Sequence, residues 1–142
     1  MPVKLYNTLT RKREVFKPLR DKEVKMFVCG LTVYDYLHLG SARTYSFYDT
    51  LVRFLRYRGF KVTYLQNVTD IGHLLDTGED RLIKKAKQEK KHPLEVADFY
   101  YQHEFEMFEK LRIQKPDLMP RATQHIKEII EQVEKLVKKG FA

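Results

Sequence analysis

Residues 27–43 read FVCGLTVYDYLHLGSAR, and the fold turns on this stretch. Met26, Phe27 and Val28 form an apolar run suited to a central strand, which Cys29 and Gly30 end. A helix is expected to begin near His38-Leu39-Gly40-Ser41, with Ser41 as its N-cap. A strand, a glycine-bearing turn and a helix N-terminus together suit phosphate, because unpaired N–H groups and the positive dipole end converge there. Glycine lets the backbone approach a nucleotide closely, and an imidazole beside it can donate to a phosphate oxygen or a transition state. A histidine by itself is by default a helix cap or a surface residue, but its place two residues before Gly40 at the nucleotide turn favours a functional role for His38.

Working outward, the helix from Ser41 to about Arg58 carries Tyr45, Tyr48, Val52 and Leu55 at the spacing of one buried face, and Gly59 stops it. Residues 61–65 form a second strand, which a β-α-β connection makes parallel to the first and right-handed. Residues 67–76 then form a loop at the C-terminal end of that strand, where open α/β sheets bind ligands. Upstream, residues 3–6 make a short strand, followed by a basic, turn-rich stretch through Arg11, Lys12 and Arg13. Downstream the expectation is helical. Thr77 or Gly78 precedes a basic helix over 79–91, and Pro93 opens a helix running to about Leu111. Residues 114–120, with two prolines, read as a linker, and Thr123 caps a last amphipathic helix bearing Ile126, Ile129, Ile130, Val133, Leu136 and Val137. The fold class is therefore α/β. A Rossmann-like parallel-sheet half-domain occupies residues 1–76, and a helical connective segment occupies 77–142.

Composition sets bounds on function. The chain has 142 residues, 43% hydrophobic and 32% charged, enough for one domain with a real core. It has no apolar run long enough to span a membrane and no signal-peptide core at its N-terminus, so a cytoplasmic protein without a membrane partner is expected. A single cysteine excludes an internal disulfide framework and leaves Cys29 to be explained otherwise. The net charge of +8 suits a polyanionic partner, nucleotide or nucleic acid, though it also simply keeps a domain soluble. The run from Arg81 to His92, with six lysines and arginines, either follows RNA phosphates or forms one solvated helix face. The aromatics Phe99, Tyr100, Tyr101, Phe105 and Phe108 recur near helical spacing and read as core.

The motifs also carry a resemblance. His38-Leu39-Gly40-Ser41 resembles the His-Ile-Gly-His signature of class I aminoacyl-tRNA synthetases. Its surroundings, Cys29-Gly30-x-Thr32-Val33-Tyr34-Asp35-x-x-His38-x-Gly40-x-x-Arg43, resemble the cysteinyl-tRNA synthetase version. So do Tyr6-Asn7-Thr8-Leu9-Thr10, the stretch from Tyr57 to Asp70, and Pro116-Asp117-x-x-Pro120-Arg121-Ala122-Thr123-x-His125-Ile126. The matches keep their order and spacing over nearly the whole chain. The cysteine ligase of mycothiol synthesis shares much of the pattern.

The resemblance implies a Rossmann-like fold of the HUP type and ATP-dependent activation of cysteine to cysteinyl-adenylate, followed by transfer to tRNA(Cys). ATP, with Mg2+, and L-cysteine are the implied small-molecule substrates. His38 and Ser41 are then the catalytic pair, and Gly30, Thr32, His38, Gly40 and Ser41 the ATP-binding set. Gly30 and Thr69 would lie against the substrate cysteine. Ser41 stands where the signature has its second His, so it offers a hydroxyl and no positive charge. Cys29 matches a zinc ligand whose metal selects the substrate thiolate over a serine hydroxyl. The family's further zinc ligands, its Lys-Met-Ser-Lys-Ser loop and its helical tRNA-binding region do not occur in this sequence, and neither His73 nor any other histidine has metal-ligand spacing to replace them. The expectation is an N-terminal portion of the enzyme that binds ATP weakly and is inactive or nearly so alone, or one subunit of a split enzyme with a C-terminal partner chain. A noncatalytic nucleotide- or RNA-binding module is the alternative outside the enzyme class. Tyr34, Asp35 and Tyr36 read either as loop packing or as a lid, and Arg43 either as a phosphate contact or as part of the first helical turn.

Overall fold

The computed structural model describes residues 2–72, 74–75 and 78–142. In chain order its elements are β1 (Lys4–Asn7), β2 (Lys12–Val15), β3 (Glu23–Val28), α1 (Leu39–Tyr57), β4 (Lys61–Gln66), α2 (Arg81–Glu89), α3 (Pro93–Lys110) and α4 (Ile126–Lys138). The β3-α1-β4 unit is the one expected: β3 and β4 are parallel, in register from Glu23 opposite Lys61 to Val28 opposite Gln66. The chain is thus of the α/β, Rossmann-like class. Along α1, Tyr45, Asp49, Val52 and Leu55 are buried at helical spacing, as the apolar pattern requires. They meet Val24 and Val28 of β3, Val62 and Tyr64 of β4, and Phe108 of α3 in one core. At the end of α1 the Phe60 N–H returns to the Leu55 carbonyl at 3.1 Å. Pro93 occupies the first turn of α3, where its missing N–H costs nothing.

Several local expectations need correction. The basic stretch after β1 is not only a turn, because Lys12–Val15 folds back as β2, antiparallel to β1. His38 caps α1, not Ser41. Asp80 caps α2, its Oδ1 accepting the Leu82 and Ile83 N–H groups at 2.8 and 3.2 Å. Thr123 does not cap α4, since its N–H and hydroxyl both donate to the Asp70 carboxylate, at 3.0 and 2.7 Å. His73 and Thr77, and the division expected between 76 and 77, fall outside the described residues.

The largest departure concerns the supposed linker. Residues 118–121 run parallel along the free edge of β4 as a third, irregular strand. Gln66 and Val68 N–H groups donate to the Leu118 and Pro120 carbonyls at 3.0 and 2.9 Å, and Leu118 and Ala122 N–H groups return to Tyr64 and Val68 at 3.1 and 3.0 Å. Pro120 fits because the ladder asks only for its carbonyl. Asp117 fixes the register: its Oδ2 accepts the Tyr64 N–H at 2.7 Å and, with Oδ1, a two-pronged contact from Arg56 Nη2 at 2.8 and 3.0 Å. A second core cluster joins the ends of the sheet to the helices, with Val33 and Val68 packed on Leu82, Ala86, Val96, Ala97 and Tyr100. No helix among the described residues is long and apolar enough to cross a membrane.

Candidate functional site

The site is built where β3 and β4 end. The segment after β3 and the segment after β4 continue side by side, with the Thr69 N–H donating to the Leu31 carbonyl at 3.2 Å and the Val33 N–H to the Thr69 carbonyl at 3.4 Å. Thr32 and Thr69 lie opposite each other in this short parallel bridge. Asn67 ties the two together: its Oδ1 accepts the Gly30 N–H at 3.0 Å, and its Nδ2 donates to Thr69 Oγ1 at 3.0 Å. Gly30 passes so close to the Asn67 carbonyl that a Cβ would sit 1.6 Å from that oxygen. Only glycine allows this approach. Gly30, Thr32 and Thr69, assigned separately from the sequence, are therefore brought to one place.

Across from them stands the start of α1. His38 Nδ1 accepts the Ser41 N–H at 3.3 Å, and His38 Nε2 lies 3.1 Å from Ser41 Oγ. With Nδ1 accepting, the neutral ring carries its proton on Nε2 and donates it to Ser41 Oγ, which leaves the Ser41 hydroxyl hydrogen free to point outward. Gly40 makes room for the imidazole, since a Cβ there would meet His38 Cε1 at 3.0 Å and Nδ1 at 3.1 Å. His38 takes the Ser41 and Ala42 N–H groups, so α1 presents those of Leu39 and Gly40, with its positive dipole end, at this point. Arg43 is exposed on the same helix.

Between these walls lies an open cleft of about 500 Å3, lined by Gly30, Thr32, Tyr34, Asp35, Tyr36, His38, Ser41, Tyr45 and Arg81 among others. Tyr36 packs edge-on against Phe99, Tyr100 and His103 of α3, so its ring is seated on the helix. Cys29, exposed at the end of β3, adjoins the cleft, and Tyr45 donates its hydroxyl to the Cys29 carbonyl at 3.3 Å. Among the described residues no three His, Cys, Asp or Glu side chains gather as a metal site. One thiol is too few donors for zinc, so the donor set found here does not by itself fit the metal.

Beneath the cleft runs a buried polar chain that sequence reading missed. Tyr64 donates to Gln66 Oε1 at 3.0 Å, and Gln66 Nε2 donates to Glu104 Oε1 at 2.9 Å. Burial raises the Glu104 carboxyl to about 7, against a smaller lowering by the Gln66 hydrogen bond. Burial likewise raises the Tyr64 phenol to about 12 and raises that of Tyr45. Asn67 and Gln66 were also missed, and Arg81 was read only as part of the basic run over 81–92. A polar Gln-Asn pair directly at the end of an apolar strand was the available signal for the first two; nothing local placed Arg81 at the cleft.

A parallel strand–helix–strand unit, with a glycine-bearing turn and a His-capped helix facing a cleft at the strands' C-terminal ends, is the arrangement of Rossmann-like nucleotide-binding folds. Residues 15–142 match the family model for the class I tRNA synthetase (C) catalytic domain. The chain belongs to that family. It is 45% identical to a cysteine–tRNA ligase of Chlorobium chlorochromatii over 145 residues, covering 100% of this chain and 30% of that relative. It is also 44% identical to the cysteine–tRNA ligase of Thermococcus kodakarensis, over 100% of this chain and 28% of the relative. The cysteine–tRNA ligase of Haemophilus influenzae is 44% identical over 99% of this chain and 29% of its own length. The chain thus spans about 30% of the length of the curated relatives it matches.

Proposed function

We propose that this chain forms the nucleotide-side half of a cytoplasmic cysteine–tRNA ligase active site. The reaction has two steps. A cysteine carboxylate oxygen attacks the α-phosphorus of ATP and pyrophosphate leaves. A hydroxyl of the terminal ribose of tRNA(Cys) then attacks the adenylate carbonyl, and AMP leaves. The first step needs alignment and stabilisation of charge on the phosphoryl oxygens more than a side-chain base. The first-turn amides of α1 take the phosphates, and His38, whose Nε2–H holds the Ser41 oxygen, turns the Ser41 hydroxyl hydrogen toward them as a further donor. Gly30 and Thr32 form the opposite wall, and Thr69 borders the amino acid. Cys29, exposed at the end of β3, is the thiol this chain offers to a zinc set, and no further donors gather beside it among the described residues.

The observation that carries this reading is the convergence of Gly30 and Thr32, tied to Thr69 of the neighbouring strand end, with His38 and Ser41 on one cleft. Titrating the 15N-labelled chain with Mg-ATP tests it. The amide resonances of Gly30, Gly40 and Ser41 should move together, and His38→Ala should abolish the response. Shifts confined to other residues would refute the placement. Cysteine-dependent ATP–pyrophosphate exchange with added zinc then reports the reaction itself, with Cys29→Ala as control. The chain alone is expected to show little or none.

A further inference from the structure

The buried polar chain below the cleft ends on a group that the proposed chemistry does not use. Glu104 of α3 is 2% exposed, and its carboxyl accepts from Gln66 Nε2. No cation lowers its pKa; only the Gln66 bond does. The groups that feel its charge are phenols: Tyr45 from α1, Tyr64 from β4 and Tyr101 from α3 itself. Arg121, which lies over the Tyr101 ring at 4.7 Å, is paired with Asp98 at 2.6 Å, and His103 packs its ring edge-on to Tyr36 at 4.6 Å. Two of these neighbours of Glu104 also hold the cleft wall. The peptide joining Cys29 to Gly30 is gripped at both polar atoms: its carbonyl accepts the Tyr45 hydroxyl at 3.3 Å, and its N–H goes to Asn67 Oδ1 at 3.0 Å. The Gln66 side chain lies against Gly30, where a Cβ would sit 3.1 Å from Gln66 Cγ. The Tyr64 hydroxyl on Gln66 Oε1 fixes which way that amide faces, and so presents Nε2 to Glu104.

We propose that Glu104, in its uncharged form, is a positioning residue for the nucleotide wall, leaving Gln66 and Tyr45 to support the Cys29–Gly30 peptide. Uncharged, it accepts the Gln66 amide and makes no strong claim on the hydroxyls around it. Charged, it is a buried carboxylate facing phenols and one amide, and it must draw donors to itself. Hydrogen bonds to an ionised acceptor are about twice as strong as neutral ones, so the Tyr45 and Tyr64 hydroxyls turn toward it. One then leaves the Cys29 carbonyl, and the other frees the Gln66 amide that backs Gly30. The wall loosens although Glu104 never touches the nucleotide. Nucleotide affinity therefore falls as pH rises through the range in which Glu104 loses its proton. That the occupant is ATP rests on the ligase reading; the coupling of Glu104 to Gly30 does not.

Mg-ATP titrations of the 15N-labelled chain at about pH 6 and about pH 8 test it, beside Glu104→Gln, which keeps an acceptor for Gln66 Nε2 and cannot ionise. With the carboxyl titrating at about 7, about nine-tenths of the chain is uncharged at Glu104 in the first condition and about one-tenth in the second. The ratio of wild-type to variant dissociation constants should therefore rise on the order of tenfold between them. Taking the ratio cancels the titration of the ligand, of Cys29 and of His38. A Glu104 that serves stability alone would leave the ratio flat, because only the folded chain is read. The ligand-free wild-type chain decides the matter if Glu104→Gln fails to fold. There the Gly30 amide and the Gln66 side-chain amide should shift with pH at the midpoint of the Glu104 carboxyl carbon. A flat ratio, or a Gly30 resonance indifferent to the Glu104 titration, would overturn the proposal. Failure of the ligase reading looks different: Mg-ATP would move no cleft resonance in either protein at either pH, while Gly30 still followed Glu104.

Discussion

Replacing Gly30 by alanine places a methyl carbon 1.6 Å from the Asn67 carbonyl oxygen and 3.1 Å from Gln66 Cγ. Real contacts of this kind stay beyond 3.0 Å, so backbone must part from backbone by something over 1 Å. The backbone is not free to do so. Gly30 N–H is held by Asn67 Oδ1 at 3.0 Å, and the Leu31 and Val33 main chain is laced to Thr69 one and three residues further on. Overpacking in a fixed frame costs about 1–3 kcal/mol, and losing the Asn67 bond adds about 1 kcal/mol, for an expected loss of about 2–4 kcal/mol. Urea unfolding followed by far-ultraviolet circular dichroism measures this. Asn67→Ala, which loses side-chain bonds without a clash, should cost about 1–2 kcal/mol. Where Gly30→Ala still folds, its response to Mg-ATP should vanish, because the wall of the cleft has moved. A Gly30→Ala protein within about 0.5 kcal/mol of wild type would refute the close approach on which the cleft is built.

His38→Ala removes the cap of α1 and should cost about 1 kcal/mol together with the ATP response; His38→Asn, a good N-cap, should recover the stability and not the response. Glu104 makes stability depend on pH. Its carboxyl is raised from 4.5 to about 7 in the folded chain, so the native state holds the proton longer than the unfolded chain. Stability therefore falls as pH rises from about 4.5 and levels off above about 7. Glu104→Gln, which keeps an acceptor for Gln66 Nε2, should match wild type near pH 4.5 and exceed it above pH 7 by on the order of 2–3 kcal/mol, read from urea midpoints. Asp117→Ala should cost about 1–3 kcal/mol and speed amide exchange at Tyr64 and Gln66, because the third strand loses its anchor.

The strand–helix–strand unit was legible because an apolar run, a 3.6-residue apolar pattern and a terminal glycine all pointed to the same elements. Residues 118–121 were not, because nothing apolar and periodic marks them. Two prolines read as a break, and only the free edge of β4 and the Asp117 carboxylate, 53 residues from Tyr64, turn them into a strand. The cap of α1 was misplaced by three residues for a similar reason. Serine is the commoner cap by propensity, but here an imidazole reaches the Ser41 N–H first. At the site, the residue types at the strand ends could be read locally, whereas Arg81 comes to Tyr34 from 47 positions away.

The cleft is made of irregular backbone, which ordinarily lacks the hydrogen bonds that hold a ladder rigid. Here side chains supply them. Asn67 ties the segments after β3 and β4 together, and Asp70 ties the second of them to Thr123. Apolar packing holds the same segments from behind: Val33 and Val68, 2% and 1% exposed, are buried against α2 and α3 and not against the main sheet core. The helical part of the chain is thus no appendage to a finished nucleotide fold. Without α2 and α3, Val33 and Val68 would face water and the residues that line the cleft between them would lose their support. The segment that places Arg81 at the mouth of the cleft is also the one that keeps the cleft in shape. A single piece of sequence therefore both supports the cleft from behind and supplies a cation to its lining.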